Sequence, residues 1–290
     1  MNIKNKKIIV TGGLGFIGSN FIQHLSKIPT HILNIDNQSY AARNSNVTTA
    51  DNYQFIKANI NNKKKILGIF KSFKPNIVIN FAAQTHVDRS IDSPEIFLRT
   101  NIFGLSNLLN ASLSYWSSIK RNKDFLFLQI STDEVFGSLN FKDNPKKETD
   151  SFEPSSPYSS SKASADLLVK SWNRTYGLPC ITVYPTNNFG PWQYPEKFIP
   201  LMILRTLLRK KLTIYGDGKN IREWIYVKDC AEAIISVINR GKVGESYNIG
   251  SGEQINNVDV AKYIIKKING EQSNFENKID FVKDRPAHDL

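Results

Sequence analysis

Two adjacent carboxylates follow a strongly apolar run in the middle of the sequence. Residues 125–128 (FLFL) have the composition of a buried strand, and Asp133 and Glu134 lie in the stretch QISTDEVFG directly after it. A carboxylate beside an apolar core costs several kcal/mol unless it is hydrogen-bonded, paired or protonated. An isolated Asp-Glu pair would simply be a solvated turn, so its meaning depends on what else the chain places beside it.

A glycine-rich loop near the N-terminus could hold a dinucleotide. Gly12, Gly15 and Gly18 lie between an apolar strand pattern and a helical pattern, and Asp36 ends the next strand pattern. Glycines at these positions let backbone N–H groups approach a pyrophosphate, and the acidic residue suits the ribose hydroxyls. The charge of Asp36 would repel a 2′-phosphate, which favours NAD, although the nearby Arg43 leaves NADP open.

A tyrosine and a lysine are spaced for joint chemistry further along the chain. Tyr158 and Lys162, in YSSSK, are four residues apart and therefore share one face of a helix. An ammonium beside a phenol lowers the phenol's pKa from about 10, so that it can act as a base near neutral pH. Such a pair alone is usually a helix surface. Behind a dinucleotide loop, and with Thr132 at the end of the intervening strand, it predicts catalysis.

Short apolar strands alternate with helical patterns through the first half of the chain. The predicted strands are 7–12, 31–36, 53–60, 76–83, 124–132 and 179–185, and the predicted helices are 15–27, 61–73, 94–116 and 156–176. This alternation predicts an α/β fold with a Rossmann-like, doubly wound parallel sheet.

The pattern loosens after about residue 187. A helix at 197–210 is followed by short pieces that end in ESYNIGSGE. We therefore predict an NAD-binding Rossmann-like domain at 1–186. Residues 187–290 would be mainly a smaller α/β substrate-binding lobe, and this division allows strands to be exchanged between the two.

The composition is that of a soluble globular protein. Of 290 residues, 40% are hydrophobic and 22% charged, and no apolar stretch approaches the roughly 20 residues of a membrane span. The start, MNIKNKKIIVTGG, predicts a first strand and not a signal peptide. Cys180 and Cys230 lie in apolar segments without metal-ligand spacing, which indicates a reducing cytoplasm and no metal site.

The net charge of +12 raises the question of nucleic-acid binding. The lysines occur in scattered groups such as NNKKK (61–65) and LRKK (208–211), without the interleaved aromatic residues of single-strand binders. The charge therefore favours solubility and attraction of a polyanionic small substrate over polynucleotide binding. We expect neither a nucleic-acid nor a membrane partner.

Eight motifs occur in an order that resembles one enzyme family. They are AAQTHVDRS (82–90), TNIFG (100–104), STDEVFG (131–137), PYSSSKA (157–163), NNFGPWQYPEKFIPLMI (187–203), GDGKNIREWIYVKD (216–229), YNIGSGE (247–253) and DRPAHD (284–289). Together with the loop spacing Gly-x-x-Gly-x-x-Gly, they resemble the nucleotide-sugar 4,6-dehydratases of the extended short-chain dehydrogenase/reductase family, most closely those that act on dTDP-glucose. The resemblance runs from about residue 7 to residue 289.

The resemblance implies a reaction that needs two carboxyl groups. In the family, carbon 4 of the sugar is oxidised with NAD, water is eliminated across carbons 5 and 6, and the hydride returns to carbon 6. Elimination requires an acid and a base at adjacent carbons. Matched by motif, Asp133 is the acid, Glu134 the base and Tyr158 the oxidising base, assisted by Thr132 and Lys162.

Binding residues also follow from the matched motifs. Besides the loop glycines, the implied NAD contacts are Phe16, Ile17, Asp36, Asn37, Asn59, Ile60, Phe81, Ala82, Ala83, Gln84, Thr100, Tyr158, Lys162 and Asn188. The implied substrate contacts are Thr85, Thr132, Asn187, Lys197, Phe198, Tyr215, Arg222, Asn257, Arg285 and His288. Of these, Arg222, Lys197 and Arg285 have the charge to neutralise a diphosphate.

Some positions depart from the family pattern. The adenine-side GDI is Ala58-Asn59-Ile60 here, YAGN is Tyr40-Ala41-Ala42-Arg43, and Phe136 replaces a tyrosine. The chain also stops after RPAHDL, where a further helical segment of the pattern is expected. The sequence leaves open UDP- or CDP-glucose as substrate, a nucleotide-sugar epimerase of the same superfamily, and a non-catalytic NAD-binding protein.

Two helical patterns carry more apolar residues than one sheet face can cover. They are 94–116 and 156–176. In the superfamily that this chain resembles, the corresponding helices pair across a two-fold axis, so the resemblance implies a homodimer through these helices.

Overall fold

A parallel sheet of seven strands forms the centre of the computed structural model, which describes residues 1–48, 50–139, 143–270, 275, 277–284, 286 and 289. The strands of these residues are β1 (Lys7–Thr11), β2 (His31–Asp36), β3 (Tyr53–Lys57), β4 (Ile77–Asn80), β5 (Leu126–Ile130), β6 (Cys180–Pro185), β7 (Asn187–Phe189), β8 (Leu212–Tyr215), β9 (Ile221–Tyr226), β10 (Ser246–Ile249), β11 (Gln254–Asn256) and β12 (Ile279–Val282). The large sheet has the order β10-β6-β5-β4-β1-β2-β3, with every neighbouring pair parallel.

Helices lie between these strands in the described part of the chain. They are α1 (Phe16–Leu25), α2 (Lys63–Phe73), α3 (Val87–Asp92), α4 (Pro94–Phe97), α5 (Leu105–Ser118), α6 (Pro157–Tyr176), α7 (Phe198–Leu207), α8 (Val227–Arg240) and α9 (Asn257–Asn269). Asn44–Asn46 and Asp133–Phe136 form 3₁₀ turns, and Leu98–Gly104 is a π-helix. Among the helices of the described residues, none has the length and apolar character that crossing a membrane requires.

Successive residues of the central strands point to opposite faces, and this alternation builds two separate cores. Ile8 and Val10 of β1 pack in one cluster with residues of α1 and α8. Ile9, between them, packs in a second cluster with residues of α2, α5 and α6. The predicted Rossmann-like, doubly wound parallel sheet is confirmed.

The sequence pattern did not reveal one strand of the large sheet and one helix that packs on it. β10 pairs with β6 and adds a seventh strand at the edge. α8 buries Val227, Cys230, Ala231 and Ile234 in the core beside α1, a spacing typical of an amphipathic helix that could have been recognised. Residues 227–249 therefore belong to the large sheet although they follow the predicted boundary at residue 187. The predicted division allowed for such an exchange of strands between the two units.

Several predicted elements are longer in the sequence pattern than in the structure. The predicted strand 76–83 ends at Asn80 and the predicted strand 124–132 at Ile130, because the residues that follow leave the sheet to line a cavity. The predicted helix 94–116 is divided into α4, the π-helix and α5.

A smaller unit packs beside one end of the sheet. It contains a three-stranded sheet, β11-β9-β7, and a parallel pair, β12-β8. α7 and α9 bury an apolar cluster against these strands that includes Met202, Leu212, Ile214, Ala261 and Ile265.

Candidate active site

A cavity of about 290 Å³ lies along the carboxyl ends of β1, β2, β4, β5 and β6. The carboxyl edge of an open parallel sheet, near the point where strand order reverses, is where α/β proteins bind ligands. This first cavity is lined by every residue that the sequence assigned to NAD: Gly12, Gly15, Phe16, Ile17, Gly18, Asp36, Asn37, Asn59, Ile60, Phe81, Ala82, Ala83, Gln84, Thr100, Tyr158, Lys162 and Asn188.

The glycine loop closes one wall of the first cavity. Gly12 has φ +72°, and a Cβ there would lie 2.5 Å from the backbone nitrogen of Ala82. A Cβ on Gly18 would lie 2.5 Å from the carbonyl oxygen of Gly12. The loop therefore packs backbone against backbone, and only glycine fits at these two positions.

Asp36 fixes the end of β2 under this loop. Its Oδ2 accepts the N–H of Leu14 at 3.0 Å, and its Oδ1 accepts the N–H of Gln38 at 2.7 Å. Burial raises the pKa of Asp36, and these backbone hydrogen bonds oppose the rise. Each carboxylate oxygen can accept a second bond, so Asp36 can still bind hydroxyl groups in the cavity. Arg43 is not among the residues that line the cavity.

The polar groups of the first cavity fit an elongated anionic dinucleotide. The first turn of α1 has neither a side-chain cap nor an acidic residue, which leaves its positive end available to a pyrophosphate. A Cβ on Gly15 would meet only the carbonyl oxygen of Gly12, at 3.3 Å, so the loop remains open at this point. Among the described residues, Thr186 Oγ1 and Gln193 Oε1 are buried here without a hydrogen-bond partner.

The two carboxylates lie where the first cavity meets a second. Thr132 caps the 3₁₀ turn Asp133–Phe136, since its Oγ1 accepts the N–H of Glu134 at 3.4 Å and donates to Asp133 Oδ1 at 3.2 Å. Both Asp133 and Glu134 line both cavities. Burial, and then the charge of Glu134, raise the pKa of Asp133 to about 7. Asp133 therefore holds a proton that it can release near neutral pH.

Tyr158 and Lys162 face the first cavity from α6. A Ser156–Ser159 capping box with Pro157 in the first turn fixes the start of this helix. Lys162 Nζ donates to the carbonyl oxygen of Ile130 at 2.6 Å, at the end of β5. The expected lowering of the Tyr158 pKa is not observed in this structure: burial and the charge of Glu134 raise it well above 10, against a hydrogen bond with Thr132.

A buried carboxyl group that the sequence analysis missed lies one turn beyond Lys162. Asp166 shares a face of α6 with Tyr158 and Lys162, and its Oδ2 accepts a hydrogen bond from the hydroxyl of Ser131. Burial raises its pKa to about 7, while Lys162 and Ser131 oppose the rise. Burial in turn lowers the pKa of Lys162, and Asp166 opposes that change.

The second cavity, of about 300 Å³, lies between the sheet and the smaller unit. Arg222 lines it and donates to the carbonyl oxygens of Ile221 at 2.7 Å and Asp289 at 2.8 Å. The remaining lining residues are Asp133, Glu134, Gly137, Ser138, Leu139, Asp143, Pro145, Asn187, Ile221, Glu223, Gln254 and Asp289. Within the described ranges there is no group of three or more His, Cys, Asp or Glu side chains placed to hold a metal ion.

The residues assigned to the substrate are distributed unevenly. Thr85, Thr132, Asn187 and Lys197 line the first cavity, and Asn187 also lines the second. Lys197 Nζ donates to the carbonyl oxygen of Thr85 at 3.0 Å, so Lys197 and Arg222 lie on different cavities.

Three further substrate assignments fall outside the lining of both cavities. Phe198 starts α7 and stacks on Trp224 with ring centroids 6.3 Å apart. Tyr215 is exposed at the end of β8, and Asn257 starts α9 with its N–H bonded to the carbonyl oxygen of Asn220. Arg285 and His288 lie outside the described residues.

The cavities also contain residues to which sequence reasoning gave no role. Tyr40, Tyr194 and Glu196 line the first cavity, and Asp143 and Glu223 line the second. Tyr40 and Glu196 lie in YAAR and PEKF, motifs that were recognised without a function for these two side chains.

Comparison with known proteins agrees with this architecture. The family model described as GDP-mannose 4,6 dehydratase matches residues 9–290. The dTDP-glucose 4,6-dehydratase of Neisseria meningitidis serogroup B is 44% identical over 298 residues, which cover 98% of this chain and 84% of that protein.

Solved structures extend the comparison to the fold. The dTDP-glucose 4,6-dehydratase of Streptomyces venezuelae, crystallised with NAD, has a TM-score of 0.89 and 32% identity over 98% of this chain and 86% of that one. The UDP-glucose 4-epimerase of Thermotoga maritima has a TM-score of 0.85 and 29% identity, with 96% and 86% covered. With a family model matching nearly its whole length, this chain belongs to the GDP-mannose 4,6-dehydratase family.

Proposed function

We propose that this chain is an NAD-dependent lyase that dehydrates a nucleoside-diphosphate glucose, dTDP-glucose, to the 4-keto-6-deoxy sugar. The observation that carries the proposal is the position of Asp133 and Glu134 in the wall shared by both cavities. The choice of dTDP-glucose as the substrate rests on similar proteins that are named dTDP-glucose 4,6-dehydratase, including the one from Neisseria meningitidis.

Each of the catalytic side chains has a separate role toward a sugar bound at the wall that the two cavities share. Tyr158 takes the proton of the 4-hydroxyl once its phenol is ionised, which requires its raised pKa to fall and which the ammonium of Lys162 favours, while Thr132 assists through its hydrogen bond to the tyrosine. Bound NAD would supply the hydride chemistry, in which the hydride of carbon 4 is stored on the cofactor and given back to carbon 6. Glu134 takes the proton from carbon 5, and Asp133 protonates the 6-hydroxyl, which leaves as water. Glu134 then returns a proton to carbon 5 as the hydride reaches carbon 6.

The environment of Asp133 favours this assignment of the acid. A carboxyl group with a pKa of about 7 still carries its proton in a large part of the molecules at neutral pH. An acid works best when its pKa lies near the working pH. Two neighbouring carboxyls with different environments are how a protein separates the acid from the base.

Side-by-side turnover of dTDP-, UDP- and CDP-glucose tests the function and the nucleotide. We expect dTDP-glucose to be converted fastest, without net accumulation of NADH, to a product that absorbs in the near ultraviolet after addition of base. An epimerase would give no such product, and a non-catalytic NAD-binding protein would convert none of the three. Release of one NADH for each product would contradict the lyase mechanism.

We also propose a homodimer through residues 94–116 and 156–176. Ile96, Leu98 and Phe103 are 48%, 41% and 64% exposed on the first segment, and Leu167 is 56% exposed on α6. Apolar patches of this kind mark interaction surfaces. Light scattering in moderate salt should report twice the chain mass, and an active monomer at micromolar concentration would contradict the proposal.

We further infer a cytoplasmic location, with neither a nucleic-acid nor a membrane partner. Cys180 and Cys230 are buried free thiols, which supports a reducing compartment. Co-migration with single-stranded DNA at physiological salt would contradict the part of this proposal that concerns nucleic acids.

A further inference from the structure

Three separate segments of the chain meet at the first cavity, where Tyr40 lines the cavity and is 37% exposed. Segment 37–43 carries Tyr40, the start of α3 carries His86 and Arg89, and segment 190–197 carries Glu196. Tyr40 and Glu196 both line the cavity. None of these four side chains has a part in the proposed chemistry.

The carboxylate of Glu196 is the point where the segments join. Tyr40 Oη donates to Glu196 Oε1 at 2.5 Å, and Arg89 Nη2 donates to Oε2 at 3.2 Å. His86 Nε2 lies 3.7 Å from the same Oε2. The Glu196 side chain is only 17% exposed, so these bonds are screened less than an ordinary surface ion pair.

Tyr40 is held through its ring as well as at its hydroxyl. The Arg89 guanidinium carbon lies 3.8 Å from the centre of the Tyr40 ring, and the Tyr194 ring meets it edge to face at 5.4 Å. Burial and the hydrogen bond to Glu196 raise the pKa of Tyr40, so the phenol stays protonated and keeps donating. The same arginine thus contacts both partners of the Tyr40–Glu196 bond.

Segment 190–197 is fixed to the rest of the cavity at its base. Asn20 Nδ2 of α1 donates to the carbonyl oxygen of Pro191 at 2.9 Å, and Gln193 Nε2 to that of Asn188 at 2.9 Å. At the far end, Lys197 Nζ bonds Thr85. Segment 190–197 is therefore anchored by hydrogen bonds near both of its ends, and Glu196 accepts the hydrogen bond that joins it to segment 37–43.

We propose that Glu196 is a positioning residue that closes the first cavity over its dinucleotide, by joining Tyr40 to Arg89, and so sets how slowly the cofactor leaves. The proposal rests on the proposed function only in taking NAD as the ligand. A cofactor that is restored within every turnover has no need to leave, and a closed mouth prevents its loss between turnovers.

The test is the rate at which labelled NAD leaves the purified, loaded protein, measured by adding an excess of unlabelled NAD. Glu196→Gln keeps the size of the side chain but removes its charge and one of the two acceptor oxygens, so the charge-assisted bonds from Tyr40 and Arg89 cannot both be kept. Charge-assisted bonds are about twice as strong, so we expect release to be about tenfold faster. Tyr40→Phe, which removes only the hydroxyl, should accelerate release a few-fold.

Glu232→Gln is the matched control, because Glu232 also lies beside a histidine, His24, but outside the first cavity. Its release rate should equal that of the parent protein. The double variant Glu196→Gln, Tyr40→Phe should release NAD little faster than Glu196→Gln alone, since both changes break the same bond.

A release rate for Glu196→Gln within twofold of the parent would overturn the proposal. If that variant fails to fold, as judged by thermal melting, Tyr40→Phe decides alone, and an unchanged rate overturns it. Failure of the proposed function has a different signature, namely a parent protein that holds no NAD. NAD that binds but leaves every variant equally fast argues only against the role of Glu196.

Discussion

The two cavities that meet at Asp133 and Glu134 are built in different ways. The first has one wall made of backbone, where glycines pack on the chain at Ala82 and Asp36 is bonded to two backbone N–H groups. The second is made of polar side chains from distant segments, including Asp143, Arg222 and Gln254. A backbone wall tolerates almost no substitution, whereas a wall of side chains can be altered to accept another ligand.

This difference gives the two cavities different sensitivities to mutation. A change at the glycine loop of the first cavity should affect cofactor binding, a change in the second cavity should affect binding of the nucleotide sugar, and a change at Tyr158 or at the shared wall should affect the chemistry. The four variants below test that separation.

The largest effect is expected at the shared wall. Glu134→Gln should slow turnover about a thousandfold, the range for loss of a general base. Because the first proton transfer is left intact, bound NADH should accumulate after dTDP-glucose is added, and exchange of the carbon-5 proton with deuterated water should stop. Stopped-flow absorbance and mass spectrometry measure the two signals.

Tyr158→Phe is the control for that result. Turnover of this variant should be slowed to a comparable extent, but no NADH should accumulate, because the variant blocks oxidation of the sugar at carbon 4. Equal NADH signals in the two variants would show that the shared wall does not separate the two steps.

Asp133→Asn should slow turnover a few hundredfold, within the range for loss of a general acid.

The effect of Asp133→Asn on the stability of the fold depends on pH in a defined direction. The pKa of Asp133 is raised to about 7 in the folded chain from about 3.9 when unfolded, so the ionised group opposes folding. The stabilisation gained from the neutral amide should grow between about pH 4 and pH 7 and stay constant above that range. Thermal melting at pH 5 and pH 8 measures it, and a larger gain at pH 5 would contradict the prediction.

Gly12→Ala should weaken NAD binding about a hundredfold, since steric overlap and positive φ together cost about 3 kcal/mol. Its Cβ would lie 2.5 Å from the Ala82 nitrogen. Gly68→Ala is the matched control, because a Cβ on Gly68 in α2 would meet nothing within 4 Å. That control should bind NAD normally and melt slightly higher. Titration calorimetry and melting curves distinguish the two.

Arg222→Lys should have the smallest effect, a rise of about tenfold in KM for the sugar nucleotide with kcat nearly unchanged, because lysine lacks the planar fork of arginine. Arg205→Lys is the control, since Arg205 is in the smaller unit and lines neither cavity. An equal change in NAD affinity for Arg222→Lys would contradict the separation of the two cavities.

The sequence predicted the first cavity better than the second. Gly12, Asp36 and their strands are close in sequence, and local patterns such as strand, glycine turn and helix determine their geometry. The catalytic assignments at Asp133, Glu134 and Tyr158 came from motif resemblance and remain predictions.

The second cavity depends on contacts that no local pattern reveals. Arg222, Asp289 and Asp143 meet there only because the smaller unit folds back toward β5. The raised pKa of Tyr158 could not be predicted either, because it depends on burial and on the nearby charge of Glu134, whereas the sequence indicated only the helical spacing to Lys162.

The seventh strand has a consequence for how the protein is made. β10 pairs with β6, so the edge of the sheet is completed by residues that follow β6 by about sixty positions. Until residues 227–249 have left the ribosome, the edge of β6 and the apolar surface that α8 covers lack their partners. Unpaired edges and exposed apolar surface promote aggregation during synthesis. Chaperones should therefore bind the growing chain most strongly in the interval between synthesis of β6 and of β10.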